Sequence, residues 1–407
     1  MLNALPLVRP AERRGAVAAT LTIFGTLAAH TLLETARDAL FLARLPASRL
    51  AIVYLGIAAV AVLVSRLPWG LGLSSGPLAL GRLLGVGALV TLVFWLVGPW
   101  QSPFGLYALY IWTGLLGSLA VLQFWMVLGD LYTLTQAKRL YSLVWTGSLL
   151  GATAGAFAAR LIAGRASTSA LVLASALVFG VTAVGPAIAL GRAAPAAERR
   201  PRGAATLAEG VKLLHSDAYV RSLAVLVLVS TIALTLGDYV FKSAVARSVP
   251  QQELGSFFGG FYALLNLLAL LAQVALGGWL FRVVGLHRAL WILPTLLFLG
   301  AAGTALGGGL AAALLLKGAD GSLRNSLHRT GSELLYVPLP DAVRAQAKPL
   351  IDLLGQRGGQ ALASLLILSE SFLARGDVVL AGASAAVSLV WIAWVADLKE
   401  LYLDVFR

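Results

Sequence analysis

Hydrophobic residues along this chain come in long runs, not in the alternation of half-buried strands or the narrow stripes of surface helices. Apolar windows of about 20 residues, the length a helix needs to cross hydrocarbon, recur from end to end. They fall near 17–43, 50–66, 78–98, 103–133, 141–163, 168–191, 219–246, 254–281, 286–305, 309–338, 349–373 and 377–397. The two-residue period of an outer-membrane barrel is absent. The pattern predicts an all-α membrane protein with twelve transmembrane helices. The first run is too long for the apolar core of a cleavable signal and has no small-residue cleavage site behind it, so the first helix is expected to stay.

The polar positions between the runs set an orientation. Basic residues gather on alternate loops: Arg9, Arg13 and Arg14; Arg66 and Arg82; Lys138 and Arg139; Arg199, Arg200, Arg202 and Lys212; Arg282 and Arg288; Arg344 and Lys348. The opposite loops carry fewer, mainly Arg44, Arg49, Arg160, Arg165, Arg247 and Arg375. The positive-inside rule then puts both termini on the cytoplasmic side of the cytoplasmic (inner) membrane. One stretch reads as a linker, "GRAAPAAERRPRGAATLAEG" from Gly191 to Gly210, rich in Ala, Pro and Arg. It predicts an N-terminal six-helix bundle over 1–191, a cytoplasmic linker over 192–218 and a C-terminal six-helix bundle over 219–407.

Composition agrees with the pattern. Hydrophobic residues make up 59% and charged residues 12%, against roughly 25% charged in soluble domains, and the mean hydropathy is +0.86. The net charge of +13 is spread over short loops and does not form one basic face, which argues against nucleic acid as a partner and for the lipid bilayer. With no cysteine, disulfides, thiol nucleophiles and iron–sulfur ligation are excluded. No paired nucleophile and base and no metal-ligand spacing is visible, so neither an enzyme nor a cofactor or metal site is expected.

Against this apolar background the charges inside the runs stand out. In "HTLLETARDALFL", His30, Glu34 and Asp38 recur at one-turn intervals and Arg37 lies one turn from Glu34. A charge in hydrocarbon costs roughly 2.5–3.5 kcal/mol on insertion scales. Asp238 and Lys242 sit four apart in the seventh run, and Lys317 and Arg324 in the tenth. One reading is an ion-pair network that satisfies itself. The other is a cavity for an anionic small molecule, lined by Arg37, Lys242, Lys317 and Arg324 beside Glu34, Asp38 and Asp238, with Arg37 and Asp238 near enough to interact; facing cations are costly unless an anion joins them. Asp130 with Lys138 and Arg139, and Asp352 with Arg357, are candidates for cytoplasmic gate pairs; solvated residues at the membrane surface are the alternative. Glycines in "WTGSLLGATAGAFAA" and "LGQRGGQALAS" point to close helix packing, and Pro338 and Pro340 to a helix stop or kink.

The two halves echo each other. "ARDALFL" at Ala36 parallels "LGDYVFK" at Leu236, setting Asp38 against Asp238, and "LYTLTQAKRL" at Leu131 resembles "LYVPLPDAVRAQAKPL" at Leu335. With equal run counts around a basic loop, this favours a transporter of two six-helix bundles, the arrangement of the major facilitator superfamily, whose substrate site lies between the halves.

Four stretches also resemble the ATP/ADP translocase family, the bacterial and plastid nucleotide transporters. "ARDALFL" is similar to that family's first-helix Lys-Asp segment, with Arg37 in place of lysine. "FWMVLGDLYTLTQAKRLYSLVWTGSLLGA" from Phe124 resembles its FW and AKR pattern, and "LGDYVFKSAV" its seventh-helix Glu-to-Lys pattern, with Asp238 in place of glutamate. "RNSLHRTGSELLYVPLPDAVRAQAKPLIDLLGQRGG" from Arg324 is similar to the segments KYSLF, KEMAYIPLD and GKAAID. The resemblance implies a twelve-helix transporter that exchanges adenine nucleotides, with basic residues holding phosphates. Thr113, Ser332 and Gln360 stand where that family carries charges. Two other readings remain open: a proton-coupled transporter of another organic anion, using Glu34 or Asp38 with His30, and a non-transporting membrane module that senses a ligand. The tail "DLKELYLDVFR" offers a lead into a partner or a further domain.

Overall fold

The computed structural model describes residues 9, 12–66, 76–186, 207–276, 285–324, 328–369 and 376–404. Every regular element among them is helical. In chain order the main helices are α1 (Arg13–Leu42), α2 (Leu50–Arg66), α3 (Pro77–Val97), α4 (Pro103–Leu131), α5 (Leu134–Ala163), α6 (Ala170–Gly185), α7 (Leu207–Ser216), α8 (Ala218–Ser248), α9 (Leu254–Leu276), α10 (Leu286–Ala305), α11 (Gly309–Leu323), α12 (Arg329–Leu334), α13 (Asp341–Ile351), α14 (Gly359–Leu368) and α15 (Gly376–Asp404). Short local signals set their ends. Pro77 and Pro103 open α3 and α4, where a missing N–H is harmless. Thr133 and Gln136 form a reciprocal capping box at the start of α5, and Gly98 ends α3 at φ 60°, a left-handed conformation that glycine adopts without strain.

Among the described residues eight helices are long and apolar enough to cross a membrane, and α6 and the start of α2 are apolar but shorter. Two of the expected runs are not uniform α-helices. The run at 309–338 contains α11 and the short α12, and its helix ends at Leu334, before the expected boundary. Turns follow at 335–338, where Pro338 and then Pro340 deny a continuing helix its donors, and Leu339 is buried between them. The run at 349–373 begins in α13, passes through a wider π-helical stretch over Asp352–Gly358 and continues as α14. Such π-turns insert an extra residue and recur at functional sites. Of the expected linker, residues 192–206 lie outside the described residues, while Leu207–Ser216 forms α7.

The chain forms two compact units. The first holds Met1–Leu45, Leu63–Arg200 and Val249–Leu270; the second holds Pro46–Val62, Pro201–Ser248 and Leu271–Arg407. In the first, α1 packs against α4, α5 and α6, and α3 against α4 and α6. In the second, α8 packs against α11, α14 and α15, and α10 against α11 and α15. Counting α1 to α6 in the first half and α8, α9, α10, α11, α14 and α15 in the second, these are the same pairs: first with fourth, fifth and sixth, third with fourth and sixth.

Glycines allow the closest of these approaches. A Cβ on Gly151 would lie 2.2 Å from the Phe24 carbonyl oxygen, and one on Gly155 2.4 Å from that of Ala28, so α5 meets the backbone of α1 directly. Gly359 faces the Leu228 carbonyl oxygen of α8 in the same way, at 2.9 Å.

Candidate substrate site

In the first unit the charges of α1 gather near its C-terminal end. Arg37 Nη2 donates to Glu34 Oε1 at 2.9 Å, its Nε lies 3.4 Å from Asp38 Oδ1, and its guanidinium carbon sits 4.4 Å from the centre of the Tyr110 ring. The Asp38 side chain is fully covered, that of Arg37 is 11% exposed and that of Glu34 34%. The Tyr262 hydroxyl of α9 donates to Asp38 Oδ2 at 2.7 Å. His30, one turn before Glu34, presses its ring against Gly117 of α4, where a Cβ would come within 2.3 Å of it. Glycine at 117 is therefore what makes room for this imidazole.

The second unit repeats the theme with more cations. Asp238 receives Lys242 at 2.9 Å and Lys317 at 2.7 Å, and the Tyr54 hydroxyl of α2 donates to its Oδ2 at 2.7 Å. Lys317 also donates to Asp320 at 2.9 Å, and Asp320 lies 3.6 Å from Arg324. Lys242 is 3% exposed and Asp320 nearly as covered, whereas Arg324 is 49% exposed. Three cations thus face two carboxylates, and the cation at the end of the chain of pairs is the accessible one. Arg37 and Asp238, expected to interact, are each engaged inside their own cluster.

The gate candidates differ in what they touch. Arg139 reaches Glu12 at 3.1 Å, and Gln136 donates to the same carboxylate at 3.2 Å, beside the buried contact of Ala16 with Leu140. Burial pushes the Glu12 carboxyl up, but the hydrogen bonds from Gln136 and the Arg9 backbone, with the charge of Arg139, outweigh it and hold the group below its usual range. Asp130 is half-buried at the end of α4. Arg357 lies in the π-helical stretch and donates to Gln360 at 3.4 Å, while the side chains of Lys138 and Asp352 lie outside the described residues. Lys348 binds both oxygens of Glu333, at 2.6 and 2.8 Å.

Sequence reasoning missed Tyr54, Tyr110, Tyr262, Asp320, Glu12 and Glu333. Asp320 could have been found, since it stands three residues after Lys317 and four before Arg324. The tyrosines carry no local signal, because their partners are far away in the chain. At the positions where the resembling family has charges, Thr113 is buried and bonds back to the Leu109 carbonyl, Ser332 lies 3.4 Å from His328, and Gln360 accepts from Arg357.

No protein-family model matches the chain. A plastidic ATP/ADP-transporter of Solanum tuberosum is 28% identical over 211 residues, which is 46% of this chain and 33% of that protein. ADP,ATP carrier protein 1, chloroplastic, of Arabidopsis thaliana is 29% identical over 217 residues, 47% of this chain and 34% of that protein. The matched stretch thus spans about a third of the length of these curated relatives. Among solved structures, the nucleoside transporter NupG superposes with a TM-score of 0.63 at 10% identity, covering 96% of this chain and 99% of that one. The POT family transporter PepTSo gives a TM-score of 0.61 at 13% identity, covering 94% and 98%.

The fold is therefore the all-α, multi-helix fold of these solved structures, with eight helices among the described residues long and apolar enough to cross a membrane. Over about half its length the chain is a distant homologue of the plastidic ATP/ADP transporters.

Proposed function

We propose that this chain is an alternating-access transporter that exchanges adenine nucleotides across the cytoplasmic membrane. It would do so with twelve membrane-crossing segments, six in 1–191 and six in 219–407, and with both termini cytoplasmic. The names of the curated relatives support a nucleotide as the substrate. The observation that carries the reading is the second cluster: Lys242, Lys317 and Arg324 outnumber Asp238 and Asp320, and Arg324 is half exposed. An accessible guanidinium offers forked donors to phosphate oxygens. In this proposal Arg324 and Lys317 hold phosphate, Lys242 and Asp238 shape the cluster, and Arg37, Glu34 and Asp38 form its counterpart on α1. Exchange follows if the empty, cation-rich site is too costly to reorient without an anion.

The first cluster favours a second reading. Glu34 is 34% exposed one turn from His30, a place for a coupling proton. Uptake into proteoliposomes of labelled ATP, ADP, phosphate and a panel of organic anions decides between the two. The exchange reading expects ATP or ADP uptake that requires internal nucleotide. Accumulation driven by a pH gradient without internal nucleotide would replace it with proton coupling, and ligand binding without any uptake would leave a ligand-sensing module.

A further inference from the structure

The second helix of each half is assigned to the unit built from the other half: α2 up to Val62 lies in the second unit, and α9 up to Leu270 in the first. Each is held there by the same bond. Tyr262 of α9 donates to Asp38 of α1, and Tyr54 of α2 donates to Asp238 of α8, both at 2.7 Å. Asp38 and Asp238 are the residues that the internal repeat sets against each other. The two bonds are therefore one contact made twice, with the halves exchanging roles.

Each bond has a second anchor. Gly255 and Gly259 bring α9 onto the end of α5, where a Cβ on Gly259 would lie 2.5 Å from the Arg160 backbone nitrogen. The turn at Ala47–Arg49 that leads into α2 packs against α8 and α14. The carboxylates are also the ones tied to the charge clusters, Asp38 to Arg37 and Asp238 to Lys242 and Lys317. A phenol donating to a carboxylate is a charge-assisted bond, roughly twice as strong as a neutral one. It breaks without leaving a buried charge unpaired, because each carboxylate keeps its cation.

We propose that Tyr54 and Tyr262 are a matched pair of positioning residues: Tyr262 holds α9 on Asp38 of α1 within the first unit, Tyr54 holds α2 on Asp238 of α8 within the second, and each pair of helices stays together until its hydroxyl lets go. The proposal deepens the transport reading above and rests on it. Release of the two hydroxyls is the step that lets α2 and α9 part from α8 and α1. The cations of the clusters then link substrate to release, since a phosphate that draws Lys317 or Arg37 away changes the hold on the same carboxylates.

The absence of cysteine permits a direct test. Single Leu42→Cys and Val245→Cys proteins place a probe on the faces of Asp38 and Asp238, one turn and two turns further along, where both native side chains are buried. Ala176→Cys, inside the first bundle, is the control. Labelling by a membrane-impermeant maleimide is followed in the wild-type background and with Tyr262→Phe or Tyr54→Phe. The expected result is about tenfold faster labelling at Leu42→Cys with Tyr262→Phe and at Val245→Cys with Tyr54→Phe, the change that loss of one hydrogen bond to a charged group produces. The control should not change. Unchanged rates at the two probes would overturn the proposal, and so would an equal rise at Ala176→Cys, which marks general loosening. The readout needs no substrate, so a failure of nucleotide exchange in proteoliposomes leaves this result standing or falling by itself.

Discussion

Asp238 accepts from two lysines and a tyrosine, and those lysines are 3% and 13% exposed. Its neutralisation leaves Lys242 and Lys317 with excess buried charge, and Asp238→Asn is expected to lose about 3–5 kcal/mol of stability, as breaking a buried pair does; denaturant unfolding in detergent measures it. Arg324 is the contrasting case, half exposed and 3.6 Å from its carboxylate. Arg324→Gln should leave the unfolding temperature in detergent nearly unchanged while weakening nucleotide binding about tenfold; a loss of stability with affinity unchanged would make Arg324 a structural residue. Glu12 gives a pH test. Its carboxyl is held below its usual range in the folded protein, so the tie to Arg139 is present at neutral pH and is lost as pH falls through that lowered value. Glu12→Gln should therefore be less stable than wild type at pH 7, and the gap should close as the pH approaches the carboxylate range. A gap that is constant with pH would show that the charge of Glu12 contributes nothing.

At the scale of elements, the glycine-rich faces and the π-helical stretch behave differently. Gly151 has the Phe24 backbone where a side chain would be, and Gly151→Ala must push α5 from α1, at about 1–3 kcal/mol for overpacking. Gly129 in α4 meets nothing within 4 Å, and Gly129→Ala should be neutral or stabilising through helix propensity. Thermal unfolding of the two variants checks the contrast, and equal effects would remove backbone contact as the reason for glycine at 151. The spacing of Gly147, Gly151 and Gly155 was legible in the sequence because it returns to one helix face at every turn. The π-helical stretch at Asp352–Gly358 was not, since an extra residue in a turn is absorbed by the surrounding packing and leaves no period to read.

Over the whole molecule, the same helix pairs recur in both units, in keeping with the repeat around Asp38 and Asp238. Under the proposed topology a reporter fused after Arg407 is active in the cytoplasm; activity only on the far side would reverse the orientation read from the basic loops. The apolar runs by themselves determined that this is a helical membrane protein, because uncompensated backbone polarity leaves few alternatives to helices in lipid. The charges inside those runs marked Glu34, Arg37, Asp38, Asp238, Lys242, Lys317 and Arg324, since a charge in hydrocarbon needs a reason that its apolar surroundings expose. Only the tertiary structure decided how they pair: which carboxylate takes which cation, that Arg324 stays accessible, and that Tyr54 and Tyr262 reach Asp238 and Asp38. Those tyrosines stand 184 and 224 residues from their partners, and a contact across such a separation is set by how helices pack, which no local spacing records.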